Sequence, residues 1–136
     1  MKLITKSARE TKSLAAKMAK RIIASKAARK NAAVIGLTGE LGTGKTTFIQ
    51  GFIKTLGVRE RITSPTFLIF RPYAVRRRSF FKIVYHVDLY RTRSFDELNP
   101  LGFKSILANR ENLALIEWAH KVRRFLPKTT LWIDFK

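Results

Sequence analysis

The chain has 136 residues, 46% of them hydrophobic, enough for one core and too few for two ordinary domains, so residues 1–136 are expected to form a single domain. With no cysteine it has neither a disulfide framework nor a thiolate metal site, and no run approaches the ~18 apolar residues needed to span a bilayer. Its 28 Lys and Arg against 9 Asp and Glu leave a formal charge of +19, which favours polyanionic partners and salt-dependent binding without saying which polyanion.

Taken in chain order, the N-terminal segment interrupts every apolar pair with Lys or Arg, so it lacks a signal-peptide core and a cytoplasmic protein is expected. Ser7-Ala8-Arg9-Glu10 has the capping-box pattern, and Leu14, Ala15, Met18, Ala19, Ile22 and Ile23 follow at helical spacing, which predicts an amphipathic helix of about four turns. Ala32 to Leu37 is a short continuous apolar run, as in a strand covered on both faces. From about Lys45 a second helix carries Phe48, Ile49, Phe52, Ile53 and Leu56 on one face and stops at Gly57.

Thr66 to Phe70 and Phe81 to Val87 read as two strands of an antiparallel hairpin, joined by a connection rich in Pro and Arg that includes Arg76-Arg77-Arg78. Ser94-Phe95-Asp96-Glu97 repeats the capping-box pattern and predicts a short helix. Leu113 to Ile116 is another buried strand, and Leu131 to Phe135 a last one. Strands and helices mixed in this order predict an α/β fold: a three-layer sandwich with a mixed, mostly parallel sheet and one antiparallel hairpin.

Gly39 to Thr46 satisfies the P-loop pattern GxxxxGK(S/T), with a strand before it and a helix after it, so the three-layer sandwich is expected to be P-loop NTPase-like. Glycines at 39, 42 and 44 let the backbone turn its N–H groups inward on phosphate oxygens, Lys45 neutralises the β- and γ-phosphates, and the hydroxyl of Thr46 is offered to Mg²⁺. The start of the following helix adds its positive dipole end. A nucleoside triphosphate with Mg²⁺ is the implied ligand, and without an NKxD pattern nothing favours GTP over ATP.

Such a site also needs an acid near the metal, at the C-terminal end of an apolar strand. Glu117 closes Leu113-Ala114-Leu115-Ile116-Glu117 and is the better Walker B likeness; Asp88 closes Val84-Tyr85-His86-Val87-Asp88, and both stay open at this point. Thr66, in Ser64-Pro65-Thr66, is either a γ-phosphate sensor or a turn residue. His86, mid-strand, reads as packed or hydrogen-bonded in the core, and Trp118 as core or site lining.

Gly39 to Thr47, then Ile62-Thr63-Ser64-Pro65-Thr66-Phe67, Tyr85-His86-Val87-Asp88-Leu89-Tyr90-Arg91, Leu101-Gly102-Phe103, Leu115-Ile116-Glu117-Trp118 and Leu126-Pro127 together resemble the family of the bacterial tRNA threonylcarbamoyladenosine biosynthesis protein TsaE, over nearly the whole chain. The resemblance implies a small cytoplasmic ATPase that binds ATP and Mg²⁺. Such a protein supports a TsaB–TsaD complex that threonylcarbamoylates the adenosine beside the tRNA anticodon, without performing the transfer itself. It implies that Gly42, Thr43, Gly44, Lys45, Thr46 and Thr47 hold the phosphates and that Thr46 and Glu117 hold Mg²⁺. Asp88 would orient water or metal at the γ-phosphate, Thr11 would contact the adenine, and Trp118 would neighbour the site. Family members usually continue past the strand matched by Leu131 to Phe135, so a nucleotide contact from such a tail has no counterpart within Met1 to Lys136. The charge is also more basic than the family pattern, which adds tRNA as an electrostatic partner. Two other classes fit the P-loop: a small kinase with Arg76 to Arg78 as a lid over the transferred phosphoryl group, and an ATP-gated, non-catalytic binding module.

Overall fold

In the computed structural model, which describes residues 2–25, 28–65 and 68–136, Ser7 caps the first helix, α1 (Ala8–Ala24), by accepting a hydrogen bond from Glu10 N at 3.1 Å. The reciprocal half of the box is displaced by one residue: Glu10 Oε2 accepts from Lys6 N, at 2.6 Å, rather than from the capping residue. After β1 (Ala33–Thr38) and the glycine loop, α2 (Lys45–Thr55) packs its apolar face inward, with Phe48, Ile49, Phe52, Ile53 and Leu56 all buried, each side chain contributing about 1.5–3 kcal/mol by leaving water. α1 lies against α2 through Ala15 and Ala19, and the approach is so close at Gly51 that an added Cβ would stand 2.8 Å from Lys12 Cα.

The strands β2 (Phe70–Ala74), β3 (Ile83–Asp88), β4 (Asn112–Glu117) and β5 (Leu131–Asp134) complete a five-stranded sheet ordered β2-β3-β4-β1-β5. β3, β4, β1 and β5 run parallel, and β2 is antiparallel to β3, the mixed sheet with one hairpin expected from the pattern. β4 is buried along its whole length, as a central strand covered on both faces should be. One core, with Ile35, Leu37, Val84, Leu113 and Leu115, lies under α1 and α2. The other, with Val34, Val87, Ala114 and Ile116, is covered by Phe95, Leu98, Phe103, Val122 and Leu126, giving three layers.

Two elements differ from the sequence reading. β2 starts at Phe70 and runs through Pro72, instead of covering 66–70; Thr66 and Phe67 lie outside the described residues. Pro72 is tolerated because β2 is an edge strand, where a missing N–H costs no ladder bond, and Tyr73 turns inward to become 2% exposed. The segment after Ser94 forms two 3-10 turns, Phe95–Glu97 and Asn99–Leu101, because Pro100 follows at once and Gly102 (φ 76°) breaks the path. Ser94 makes no side-chain cap, and the α-helix comes later, as α3 (Phe103–Ala108). The strands at 33–38, 83–88 and 131–134 otherwise sit within a residue or two of their expected bounds. Among the described residues no helix is long and apolar enough to cross a membrane.

Candidate nucleotide site at the C-terminal edge of the sheet

The strand register assembles the site. Asp88 of β3 pairs with Glu117 of β4, which pairs with Leu37 of β1, so both carboxylates stand in one row beside the strand that feeds the glycine loop. Side chains alternate along a strand, so His86 and Asp88 share the face of Val84, and Glu117 that of Leu113 and Leu115, the face covered by α2. The ladder runs on past the strand ends, with Trp118 N donating to Leu37 O at 3.0 Å and Leu89 N to Glu117 O at 3.1 Å.

The loop has the shape of an anion cradle. Gly39 has φ 129°, and an added Cβ there would lie 2.3 Å from the Phe135 carbonyl, so only glycine fits where the C-terminal strand crosses. Gly42 (φ 78°) and Gly44 (φ 99°) are also left-handed, and at both an added Cβ would meet nothing within 4 Å, so the backbone there faces open space. Thr43 Oγ1 donates to Glu40 O at 2.7 Å and closes the turn. Gly44 is the N-cap of α2, whose first turn holds no acid and places Lys45, Thr46 and Thr47 at the positive end of the helix.

Lys45 is 4% exposed; its ammonium donates to the carbonyls of Gly39 and Glu40 and lies 4.3 Å from the centre of the Trp118 ring. Trp118 reaches that position through a left-handed backbone (φ 60°, ψ 33°), uncommon for a bulky side chain, and its ring also packs on Tyr90 with centroids 5.1 Å apart. Glu117 is buried and its Oε2 lies 2.8 Å from His86 Nε2, a side chain with no exposure. His86 Nδ1 is the one buried side-chain nitrogen or oxygen without a hydrogen-bond partner among the described residues.

Asp88 accepts a hydrogen bond from Tyr90 N at 3.0 Å. Its pKa is raised, chiefly because burial disfavours the carboxylate and also because Glu117 stands nearby; the Tyr90 N–H, His86 and Lys45 oppose the shift without cancelling it. Among the described residues no group of three or more His, Asp and Glu side chains is placed to hold a metal by itself. A divalent ion at this edge would complete its coordination with phosphate oxygens and water, as Mg²⁺ commonly does. Backbone donors, one lysine, a threonine hydroxyl and two carboxylates are the donor set for a Mg²⁺–triphosphate, so the residues present fit that group.

Thr11 lies elsewhere. Its hydroxyl bonds to Thr5 Oγ1 at 2.7 Å and Ser7 O at 3.2 Å, and its neighbour Lys12 meets Gly51, about two turns along α2 from the loop. Arg76 and Arg77 are farther still: their N–H groups donate to Leu56 O at 3.1 and 3.0 Å, at the far end of α2, about 17 Å along its axis from Lys45. The connection 76–78 therefore does not form a lid over the loop. Thr66 is outside the described residues, but Ser64 and Pro65 line a cleft of about 360 Å³ together with Asp88, Tyr90, Arg91 and Glu97.

His86 is hydrogen-bonded in the core, as the sequence suggests, but its partner is not evident from sequence, and Lys121 is not singled out there at all. His86 bonds to Glu117 across 31 positions, a contact only the register creates, although the offset of His86 two places before the strand-ending acid would have hinted at it. Lys121 donates to the carbonyls of Leu89 (2.9 Å), Tyr90 (2.6 Å) and Thr92 (3.2 Å) and so pins the turn that follows Asp88. It lies in an unremarkable basic stretch, where sequence offers no signal of that role.

A family model described as "Threonylcarbamoyl adenosine biosynthesis protein TsaE" matches residues 5–136. The Bacillus subtilis tRNA threonylcarbamoyladenosine biosynthesis protein TsaE is 38% identical over 103 residues, 76% of this chain and 61% of that protein. The Haemophilus influenzae protein of the same name is 31% identical over 105 residues, covering 77% of this chain and 63% of its own length. With the Rickettsia felis one the match is 38% over 135 residues, 98% of this chain and 71% of that protein. The chain thus spans somewhat under two thirds of the length of the Bacillus and Haemophilus relatives. A crystal structure of Bacillus subtilis YdiB superimposes with a TM-score of 0.65 at 32% identity, covering 96% of this chain and 72% of that one. With its glycine loop, its two strand-end carboxylates and a family match over nearly all of its length, this chain belongs to the TsaE family.

Proposed function

We propose that this chain is a Mg²⁺-dependent ATPase of the cytoplasm that supports formation of threonylcarbamoyladenosine in tRNA beside TsaB and TsaD, and is not itself the transferase. The observation that carries this reading is the placement of Lys45, Asp88 and Glu117 on one sheet edge at the mouth of the glycine loop. Main-chain N–H groups from Gly42 to Thr47 hold phosphate oxygens at the start of α2, and Lys45, already gathered into the loop by its carbonyls, supplies positive charge where negative charge develops. Thr46 and Glu117 would hold Mg²⁺, which when bound would supply neutralisation of the charge on the phosphates. His86 fixes the rotamer of Glu117 through the 2.8 Å bond. Asp88 accepts a hydrogen bond from the attacking water and orients it; its raised pKa makes it a stronger proton acceptor than an ordinary aspartate. Thr11, away from the phosphate loop, would meet the adenine as the family pattern implies, and Thr66 would sense the γ-phosphate.

The test is ATP turnover with and without purified TsaB and TsaD. Lys45→Ala is expected to lower turnover on the order of a hundredfold or more, the scale of losing one preorganised electrostatic contact. Equal turnover by wild type and variant under both conditions would overturn the reading. The cleft beside Asp88, lined by Ser64, Tyr90 and Arg91, favours one second reading, a kinase whose acceptor sits there. It is told apart by labelled γ-phosphate, which goes to an acceptor in a kinase and to water in an ATPase.

A further inference from the structure

The connection between β2 and β3, residues 75–82, closes the opposite edge of the sheet, where the parallel strands begin. Val75 N donates to Lys82 O, Lys82 N to Glu111 O, and Arg76 and Arg77 are tied to the end of α2. The Arg29 guanidinium lies 5.4 Å from the Phe81 ring centre and that of Arg110 lies 5.6 Å from the ring of Phe80, with the two rings 5.8 Å apart. These contacts set Arg29 and Arg110 at the Phe80–Phe81 pair, and the exposed Arg76, Arg77, Arg78 and Lys82 lie on the same short connection as Phe80, which is itself 47% exposed. The acid beside them is Glu111, which meets Lys82 through its main chain. Among the described residues none of the six cations has a carboxylate within ion-pair distance.

Six uncompensated charges repel one another and weaken the folded state, while concentrating polyanions at this edge. Five of the six are arginines, whose planar forks match phosphate oxygens two at a time, and the exposed Phe80 offers a flat face on the same connection. Cations tracking a backbone around an aromatic platform are the chemistry of single-strand recognition. An acidic protein surface would use the cations and leave the ring idle. We propose that the edge formed by Arg29, Arg76, Arg77, Arg78, Lys82 and Arg110 around Phe80 binds a single-stranded nucleic-acid segment, phosphates on the arginines and one base stacked on Phe80. Ile83 and Asp88 stand at opposite ends of β3, about 17 Å apart, so a strand here leaves the glycine loop free. The edge would bind a strand whether or not the loop turns over ATP, and where the substrate is a tRNA it gives the general positive charge a definite place.

The test is fluorescence anisotropy of the full chain with a labelled oligouridylate of about a dozen nucleotides across a salt series, with polyglutamate as competitor. The slope of log affinity against log salt is expected near −4 if all six cations meet phosphates at about 0.7 each, falling to about −2 when Arg76, Arg77 and Arg78 are all replaced by Ala. Phe80→Ala should weaken binding roughly fivefold or more with the slope unchanged, and Phe80→Trp should retain it. Binding of a fluorescent ADP analogue by every variant, unchanged from wild type, reports an intact fold and nucleotide loop. Strand binding that the triple variant and Phe80→Ala leave intact, binding that salt does not weaken, or polyglutamate competing as well as the oligonucleotide would each overturn the proposal. None of these outcomes bears on ATP turnover, which is measured separately.

Discussion

Deleting the partner of a buried carboxylate should cost far more than deleting the pair. His86 and the Glu117 side chain are 0% and 6% exposed and 2.8 Å apart, so neither finds water once the other is lost. His86→Leu keeps most of the volume but leaves Glu117 without its donor in the same surroundings; the loss of a hydrogen bond to a charged group and the stranding of that charge together amount to about 3–5 kcal/mol. With a urea m-value of about 2 kcal/mol per molar, this moves the unfolding midpoint down by on the order of 1.5–2.5 M. Replacing both, as His86→Leu with Glu117→Leu, removes the stranded charge and should recover most of the loss, a coupling of at least ~2 kcal/mol. The assay is equilibrium urea denaturation of the four proteins of the cycle, followed by tryptophan fluorescence. A His86→Leu protein as stable as wild type, or a double variant less stable than either single one, would refute the view that His86 exists here to satisfy Glu117.

Asp88→Asn should raise the melting temperature at neutral pH, because burial and Glu117 hold the native carboxylate in an unfavourable ionised state. The sign follows from the raised native pKa: between the ordinary value of 3.8 and the native one, the folded chain keeps a proton that the unfolded chain has released. Stability therefore falls as pH rises through that window, and the advantage of Asn should vanish in melting curves taken below it; an Asn variant less stable than wild type at neutral pH would contradict this. Gly39→Ala meets both a φ of 129° and a backbone oxygen at 2.3 Å, in a stretch tied down by Phe135 N donating to Thr38 O at 2.8 Å. Strain and overlap together should cost at least ~2 kcal/mol, or about 6–10 °C in melting temperature, and an unchanged melting temperature would mean that β5 yields freely.

The nucleotide loop was legible because its information is local. Positive-φ glycines at fixed spacing, a lysine and a helix start are properties of a dozen consecutive residues, and the apolar runs that end in Asp88 and Glu117 show as strands without knowledge of their neighbours. The capping signal at Ser7 held for the same reason, whereas the identical signal at Ser94 failed because Pro100 and Gly102 outweigh it. The placement of Pro72 within a strand followed from β2 lying at the edge, and edges belong to the sheet rather than to any segment. So too with His86 and Glu117, the cover that Trp118 lays over Lys45, and Arg29 and Arg110 drawn to Phe81 and Phe80. Sequence by itself determined the kinds of groups and the elements that carry them, because backbone preference and hydrophobic period act over a few residues. Only the tertiary structure decided which of those groups meet, because strand order and register bring together residues that no local rule relates.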